Sequence, residues 1–209
     1  MIAVLDYGIG NLRSAQKALQ RVGADAVLVT EPDRAEGASG VVLPGVGAFG
    51  PCMEALVSSG LDKVALDAVG RDVPFLAICI GMQLLYRASE EDPGVAGLGV
   101  LPGTVRLLPD GVKRPQMQWN CLEPARPARG SSGVPGLLTG LGERPWVYFV
   151  HSYAAEPGPD VVATCDYGGP VVAAVERGRV WATQFHPEKS GGTGLGLLRN
   201  FALVCGEVR

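Results

Sequence analysis

In VPFLAICIGMQLL, residues 73–85, an apolar run ends at a cysteine and a second apolar run begins. The first run is typical of a buried β-strand, and the second has the pattern of a helix. Cys79 therefore lies in a sharp strand-to-helix turn, with the small residues Ala77 and Gly81 two positions away on either side. Such a turn holds a nucleophile above a sheet, beside helix amides that favour a thiolate. A buried cysteine is usually only a small apolar residue, so the turn alone leaves both interpretations open.

The first half of the chain alternates strand and helix patterns around this stretch. Strand runs occupy residues 2–6, 26–30 and 40–44, and helical patterns cover 12–22 and 53–69. Asn11 precedes the first helix and is placed to cap it. Strands that are apolar on both faces and alternate with helices predict a parallel sheet covered on both sides.

The second half contains short strand-like runs between residues 99 and 184, separated by turns rich in proline and glycine. These runs predict antiparallel additions to the parallel core. The segment EPARPARGSSGVPG, residues 123–136, predicts a surface loop, and a final helix is expected over about 195–204. The predicted fold class is therefore α/β, with a central, mostly parallel sheet, helices on both faces and an antiparallel extension. With no internal repeat or linker, one domain over residues 1–209 is expected.

Composition excludes several classes of function. The 209-residue chain has 47% apolar residues, 19% charged residues and a formal net charge of −3, so it offers no basic surface for nucleic acid. The N-terminus, MIAVLDYGIG, has no cationic lead, and no apolar run reaches the roughly 20 residues that span a bilayer, so neither a signal peptide nor a membrane span is expected. Five dispersed cysteines suit free thiols in the cytoplasm. With only two histidines, no metal site and no cofactor are expected.

A base for Cys79 must be one of the two histidines. His186 follows the apolar run RVWATQF and is followed by Pro187 and Glu188. If the backbone is extended there, residues two apart share a face, so Glu188 can orient the imidazole as the third member of a catalytic triad does. A histidine at a strand end is more often structural, but the His-Pro-Glu pattern is considerably more specific. His151, within WVYFVHSY, is expected to pack near the site or to form a hydrogen bond within it.

The segment LPGVGAFG, residues 43–50, places a glycine-rich turn directly after a predicted strand. Parallel sheets collect ligands at the carboxyl ends of their strands. Backbone amides of Gly45, Val46 and Gly47, together with that of Ile80, could therefore form an oxyanion hole. A simple loop is the alternative, and this turn alone does not decide. The earlier DYGIGN turn lacks the third glycine of a dinucleotide site.

Cys79 in a C-x-G-x-Q pattern with a distant His-Pro-Glu resembles the triad (class I) glutamine amidotransferases, which have a flavodoxin-like fold. The resemblance covers nearly the whole chain and narrows to the glutaminase subunits of imidazole glycerol phosphate synthase. It rests on motifs that occur in that family's order: DYGIGNLRS (6–14), LPGVGAFG (43–50), CIGMQLL (79–85), PQMQWN (115–120), YFVHSY (148–153) and QFHPEKSG (184–191).

The resemblance implies a chemistry. Cys79 would attack the side-chain amide of glutamine, His186 would protonate the departing ammonia, Glu188 would orient His186, and water would hydrolyse the thioester. The remaining implied roles are an oxyanion hole at Val46, Gly47 and Ile80, and substrate contacts at Gly45 and Gln83. Ammonia would pass to a (βα)₈-barrel cyclase subunit, in a heterodimer that makes imidazole glycerol phosphate and an aminoimidazole carboxamide ribonucleotide for histidine biosynthesis. The residues implied for the partner interface are Trp119, Asn120, Tyr148 and Lys189.

Two motifs depart from the family pattern, at three positions. Ala77 and Ile80 flank Cys79 where the family usually has glycine and leucine, and alanine is still small enough for the turn. Gln118 replaces a glycine before Trp119, which affects the expected interface and not the chemistry. Three alternatives stay open at this point: the glutaminase subunit of another synthase, a stand-alone γ-glutamyl thiol hydrolase, and a binding protein that kept the fold without the reaction.

Overall fold

The computed structural model describes residues 1–125 and 135–208, so the predicted loop at 123–136 lies largely outside the described residues. The strands are β1 (Ile2–Leu5), β2 (Ala26–Val29), β3 (Gly40–Gly45), β4 (Phe75–Cys79), β5 (Ala88–Ser89), β6 (Thr104–Leu107), β7 (Gln116–Cys121), β8 (Glu123–Pro124), β9 (Trp146–His151), β10 (Tyr153–Ala155), β11 (Val161–Asp166), β12 (Pro170–Arg177) and β13 (Val180–Thr183). The α-helices are α1 (Leu12–Arg21), α2 (Phe49–Ser58), α3 (Leu61–Gly70), α4 (Ile80–Leu84) and α5 (Gly191–Val204).

Eight strands form the main sheet, in the order β2-β1-β3-β4-β13-β12-β11-β8. The five strands from β2 to β13 are parallel, and β12, β11 and β8 extend the sheet in antiparallel pairs. The predicted mostly parallel sheet with an antiparallel extension is therefore confirmed. The parallel strands are continuous apolar runs, as expected when helices cover both faces.

The order of the strands places the helices. The connection from β1 to β2 runs toward one edge of the sheet, and the connection from β3 to β4 runs toward the other. Because such crossovers are right-handed, α1 lies on one face and α2 with α3 on the opposite face. Accordingly α1 packs against α5, while α2 packs against α3 and α4. The strand order reverses between β1 and β3, and the carboxyl ends near such a reversal are where these folds bind ligands.

Three predicted helices differ from the observed ones. The helical pattern over 53–69 is two helices, since Gly60 has a φ of +73° and separates α2 from α3. The helix after Cys79 is only the five residues of α4. The final helix begins at Gly191, four residues before the predicted start, because its glycine-rich first turn packs closely: a Cβ on Gly194 would lie 1.9 Å from the Pro187 carbonyl oxygen.

Candidate active site

Cys79 ends β4 and immediately precedes α4, with a backbone φ of +56° and ψ of −111°. Among the described residues, it is one of two non-glycine residues with positive φ. Such a conformation costs about 1–3 kcal/mol and persists only where the surroundings impose it. Here a Cβ at Gly81 would lie 1.9 Å from the carbonyl oxygen of Leu43, so only glycine fits there, while Ala77 is fully buried. The turn is therefore a strained elbow that holds the thiol at the edge of the sheet.

His186 follows β13, the strand next to β4, and its Nδ1 donates a hydrogen bond of 2.8 Å to Glu188 Oε1. Both side chains are 2% exposed. The extended backbone expected between them is wrong, because Pro187–Lys189 form a 3₁₀ turn. The contact is made across that turn, whose start the fixed φ of proline favours. With Nδ1 committed to the carboxylate, the neutral ring has its lone pair on Nε2.

The charge state of His186 is set by its two neighbours. Burial lowers the pKa of His186, but hydrogen bonding and charge interaction with Cys79 and with Glu188 outweigh it and raise the pKa above the ordinary value. Nε2 has no partner within strict hydrogen-bonding geometry in the part of the chain that the structure describes, so its contact with Cys79 is a loose one. Cys79 and His186 line the same cavity, and proton exchange between the thiol and Nε2 is the chemistry that the arrangement allows.

The glycine-rich turn after β3 runs beside the elbow, since Gly45 pairs with Cys79 across the parallel ladder. Two buried side chains hold its carbonyl groups: the Tyr7 hydroxyl donates to Pro44 O at 2.8 Å, and Cys52 Sγ donates to Val46 O at 3.2 Å. Burial raises the pKa of Tyr7 above its usual range and that of Cys52 to about 11, so both groups stay protonated donors.

That anchoring orients an amide. The C=O and N–H of a trans peptide point in opposite directions, so the held Val46 carbonyl turns the Gly47 N–H away from Cys52. Val46, Gly47 and Ile80 line a cavity of about 390 Å³ together with Cys79 and His186, whereas Cys52 does not. Gly45 is packed behind this wall, where a Cβ would lie 2.7 Å from the Tyr7 hydroxyl and 2.9 Å from the Gly81 nitrogen.

The same cavity contains Gln83, which is 1% exposed and whose Nε2 donates to Tyr153 O at 2.9 Å and to Gln184 Oε1 at 3.0 Å. Its Oε1 has no partner among the described residues. Gln184 Nε2 in turn lies 3.8 Å from Cys79 Sγ. No local sequence pattern identifies Gln184 as a site residue, because the register that places it beside Cys79 is a property of the β4–β13 pairing.

Glu91 is a second site residue that no local sequence pattern identifies. It lies on the cavity wall, and its Oε2 accepts a hydrogen bond of 2.8 Å from the Phe49 N–H at the start of α2. Burial raises the pKa of Glu91, and the nearby Asp92 adds to the effect. Its loop position, after the short β5, follows no periodic pattern, so only its acidic character could have identified it.

His151 also faces the cavity, at the end of β9. Its Nδ1 lies 2.8 Å from Tyr153 O, an acceptor, so Nδ1 carries the proton and Nε2 is an acceptor. That Nε2 is buried and has no partner among the described residues. Burial lowers the pKa of His151 to about 4, and the nearby His186 adds to this effect.

The residues expected at a partner interface cluster on one side of the cavity. Trp119 and Tyr148 pair across β7 and β9, with their rings edge to face at 6.2 Å, and Trp119 is 48% exposed. Asn120 donates to Asp166 O at 2.9 Å, and exposed Lys189 is on the cavity wall. The exposed apolar residues of this two-stranded sheet are Met117, Trp119 and Trp146.

The model of the family described as glutamine amidotransferase class-I matches residues 3–205. The imidazole glycerol phosphate synthase subunit HisH of Methanothermobacter thermautotrophicus is 48% identical over 205 residues, covering 98% of each chain. The subunit of the same name from Salinibacter ruber is 46% identical over 213 residues, covering 98% of this chain and 94% of its own.

Two solved structures share the fold. A crystal structure of a glutamine amidotransferase superposes with a TM-score of 0.74 at 22% identity, covering 98% of both chains. The structure of PurLQS from Thermotoga maritima gives a TM-score of 0.71 at 20% identity, covering 97% of this chain and 96% of that one. At these identities the likeness concerns the fold alone.

Proposed function

Because the chain belongs to the class-I glutamine amidotransferase family, we propose that Cys79, His186 and Glu188 hydrolyse the side-chain amide of glutamine. The chain is the glutamine amidotransferase subunit of an imidazole glycerol phosphate synthase, which acts in histidine biosynthesis. The observation that carries the residue assignment is the strained Cys79 elbow facing a cavity that it shares with a histidine bound to a buried carboxylate.

The reaction proceeds in two halves. Cys79 Sγ attacks the carboxamide carbon while its proton moves to His186 Nε2, and the tetrahedral intermediate collapses when His186 returns that proton to the leaving nitrogen. Ammonia leaves and a γ-glutamyl thioester remains. His186 Nε2 then takes a proton from water, which attacks the thioester, and returns that proton to the Cys79 sulfur as the second tetrahedral intermediate releases glutamate. Glu188 holds the imidazole orientation and stabilises the imidazolium formed in each half.

The oxyanion of both intermediates is assigned to the amides of Val46, Gly47 and Ile80. All three residues line the cavity beside Cys79, and the held Val46 carbonyl fixes the peptide that carries the Gly47 N–H. Loss of one such donor typically lowers kcat about 10²–10³-fold. Because two side-chain hydrogen bonds set the orientation of this turn, a change in either one would change the rate.

Substrate recognition is assigned to Gln83 and Glu91. Gln83 lines the cavity, and its buried Oε1 has no partner among the described residues, so we assign it to an N–H of glutamine. Glu91 presents a carboxylate, suited to the α-ammonium group. Because Glu91 is assigned to the α-ammonium group, the site should select an amino acid over a simple amide.

The partner is assigned as the cyclase subunit, a (βα)₈ barrel by the family resemblance, which receives the ammonia. The exposed apolar surface of β7 and β9, with Trp119, Asn120 and Tyr148, supports docking beside the cavity mouth. Hydrogen bonds link the backbone of this surface to the segment that carries His186. The backbone N–H of His186 donates to Tyr148 O at 3.0 Å, and the Tyr148 N–H donates to Ser190 Oγ at 3.0 Å. If the partner docks at Tyr148 and Lys189 and shifts their backbone, these hydrogen bonds would transmit the shift to His186.

We also propose that the protein acts in the cytoplasm. All five cysteines are free thiols, which suits the reducing cytoplasm. Within residues 1–125 and 135–208, no helix has both the length and the apolar character needed to cross a membrane.

The test is glutamine hydrolysis by wild type, Cys79→Ala and Cys165→Ala, each with and without the cyclase subunit. We expect partner-stimulated hydrolysis in wild type and in Cys165→Ala, whose thiol is buried away from the cavity, and none in Cys79→Ala. Turnover that persists in Cys79→Ala would reject the catalytic assignment. Unstimulated cleavage of γ-glutamyl peptides by wild type would instead support a stand-alone hydrolase.

A further inference from the structure

Two buried glutamine side chains connect a backbone carbonyl to the sulfur of Cys79. Gln83 Nε2 donates to Tyr153 O at 2.9 Å and to Gln184 Oε1 at 3.0 Å. Gln184 Nε2 lies 3.8 Å from Cys79 Sγ, within hydrogen-bonding distance for sulfur. Gln83 is 1% exposed and Gln184 is fully buried, so water does not compete for these contacts. Pairing of β13 with β4 fixes this arrangement, since Thr183 lies opposite Ile78 and the next residues are Gln184 and Cys79.

The orientation of each amide follows from the one before it. Tyr153 O can only accept, so the group of Gln83 that faces it is the NH₂. The same NH₂ meets Gln184, which must present its oxygen there, since the reverse orientation would bring two NH₂ groups together. The Gln184 NH₂ therefore points at the sulfur. The direction of this donor is thus set by a backbone carbonyl two side chains away.

We propose that Gln184 is a catalytic residue, whose side-chain amide donates a hydrogen bond to Cys79 Sγ and stabilises the thiolate that attacks glutamine. This inference rests on the proposed function and adds a donor to it. An NH₂ group cannot accept a proton from sulfur, and donors bind anionic acceptors more strongly than neutral ones, so the contact favours the thiolate over the thiol. The same thiolate is the leaving group when water resolves the thioester, so Gln184 acts in both halves of the reaction.

A second glutamine–cysteine contact in the chain serves as a control for the contact between Gln184 and Cys79. Gln116 Nε2 lies 3.7 Å from Cys165 Sγ, and both residues are fully buried. Neither lines the active-site cavity. Burial raises the pKa of Cys165 to about 11, even though the Gln116 amide opposes it. A glutamine donor alone therefore leaves a core thiol protonated, and the contact at Cys79 differs because a cavity and His186 are beside it.

The experiment measures iodoacetamide alkylation of Cys79 against pH, read by mass spectrometry of the Cys79 peptide, in wild type, Gln184→Met and Gln116→Met. Gln184→Met removes the donor at nearly constant volume. Because a hydrogen bond to a charged group is involved, we expect about three- to tenfold slower alkylation at neutral pH. Gln116→Met should leave the alkylation rate of Cys79 unchanged at every pH. With the cyclase present, kcat should also fall in Gln184→Met and stay unchanged in Gln116→Met, since neither Gln116 nor Cys165 lines the cavity.

Unchanged alkylation in Gln184→Met, or an equal slowing in Gln116→Met, would overturn the proposal. If Gln184→Met does not fold, ¹⁵N-glutamine labelling of wild type provides a second measurement. The Gln184 side-chain NH₂ signals should move when Cys79 ionises, and signals that stay fixed would also reject the contact. Alkylation needs no glutamine turnover, so failure of this inference is distinguishable from failure of the proposed function, which loss of wild-type hydrolysis would show.

Discussion

The two histidines of this chain have the same local geometry and opposite electrostatics. Each is buried, lies at or shortly after the end of a strand and lines the same cavity, and each forms an Nδ1 hydrogen bond of 2.8 Å to a residue two positions later. At His186 the acceptor is the carboxylate of Glu188, whereas at His151 it is the neutral carbonyl of Tyr153. The pKa of His186 is raised by Cys79 and Glu188 despite burial, whereas burial lowers that of His151 to about 4.

Burial lowers the pKa of both rings, and the difference between them comes from the neighbouring groups Cys79 and Glu188, which counteract burial at His186 and have no counterpart at His151. Both rings use Nδ1 to bind an acceptor and have a buried Nε2 without a partner among the described residues, so each neutral ring could accept a proton there. Only His186 gains stabilisation when it takes a proton, because Glu188 and a thiolate at Cys79 both favour the imidazolium. His151 would place a second positive charge beside it, and is held neutral.

The sharpest test of this contrast is to remove each histidine separately. With the cyclase present, His186→Asn should lower kcat about 10⁴-fold or more, because both proton transfers are lost. His151→Asn should lower it by about tenfold or less, because only a neutral acceptor is lost. Initial rates of glutamate formation measure both. Equal losses would show that the two rings share the proton transfers and would remove the distinction.

Glu188→Gln tests whether the carboxylate causes the difference between the two histidines, because it gives His186 a neutral partner like that of His151. Loss of the carboxylate should lower kcat about 10²–10⁴-fold, as in other triads. It should also lower the pKa of His186, so the imidazole titrates at lower pH than in wild type. Steady-state kinetics and an NMR titration of the ring test the two effects. A rate loss without a change in titration would mean that Glu188 only orients the ring.

The two histidines should change the free energy of unfolding with pH in opposite directions. His151 has a folded pKa of about 4 against an ordinary value of 6.5, so between these pH values the unfolded chain binds the extra proton. The free energy of unfolding should therefore fall as pH drops through this window, by about 3 kcal/mol at most for this group. The folded pKa of His186 is raised, so its contribution is complete below 6.5 and is lost as pH rises through the folded value.

Urea unfolding of wild type, His151→Gln and His186→Asn at several pH values measures these slopes. His151→Gln should flatten the acid side, and His186→Asn should leave the acid side intact while flattening the dependence above neutral pH. An acid slope in His151→Gln as steep as that of wild type would assign the sensitivity to carboxylates instead.

The sequence predicted the strand ends more completely than the surroundings of the site. Continuous apolar runs and the small residues around Cys79 are local signals, so the parallel sheet and the elbow follow from them. The His186–Glu188 contact was expected for the wrong reason, since it is made across a 3₁₀ turn and not along an extended strand.

Residues brought in by register or by loops carry no such local signal. Gln184 reaches Cys79 only through the pairing of β13 with β4, and Glu91 reaches the cavity from an irregular loop anchored to Phe49 N. Similarly, Gly60 divides a continuous helical pattern because its left-handed backbone ends α2, which periodicity alone does not reveal.

The smallest expected effect on the difference between the two histidines is that of Asn11. This residue was expected to cap α1 but makes no side-chain cap hydrogen bond. Its Nδ2 instead lies 3.4 Å from Glu188 Oε1, the atom that binds His186. Because this bond is long, Asn11→Ala should lower kcat only about two- to fivefold, by loosening the carboxylate. If the effect acts through Glu188, the same substitution in a Glu188→Gln background should add nothing. An equal loss in both backgrounds would mean that Asn11 acts elsewhere, and that Glu188 distinguishes His186 from His151 without its help.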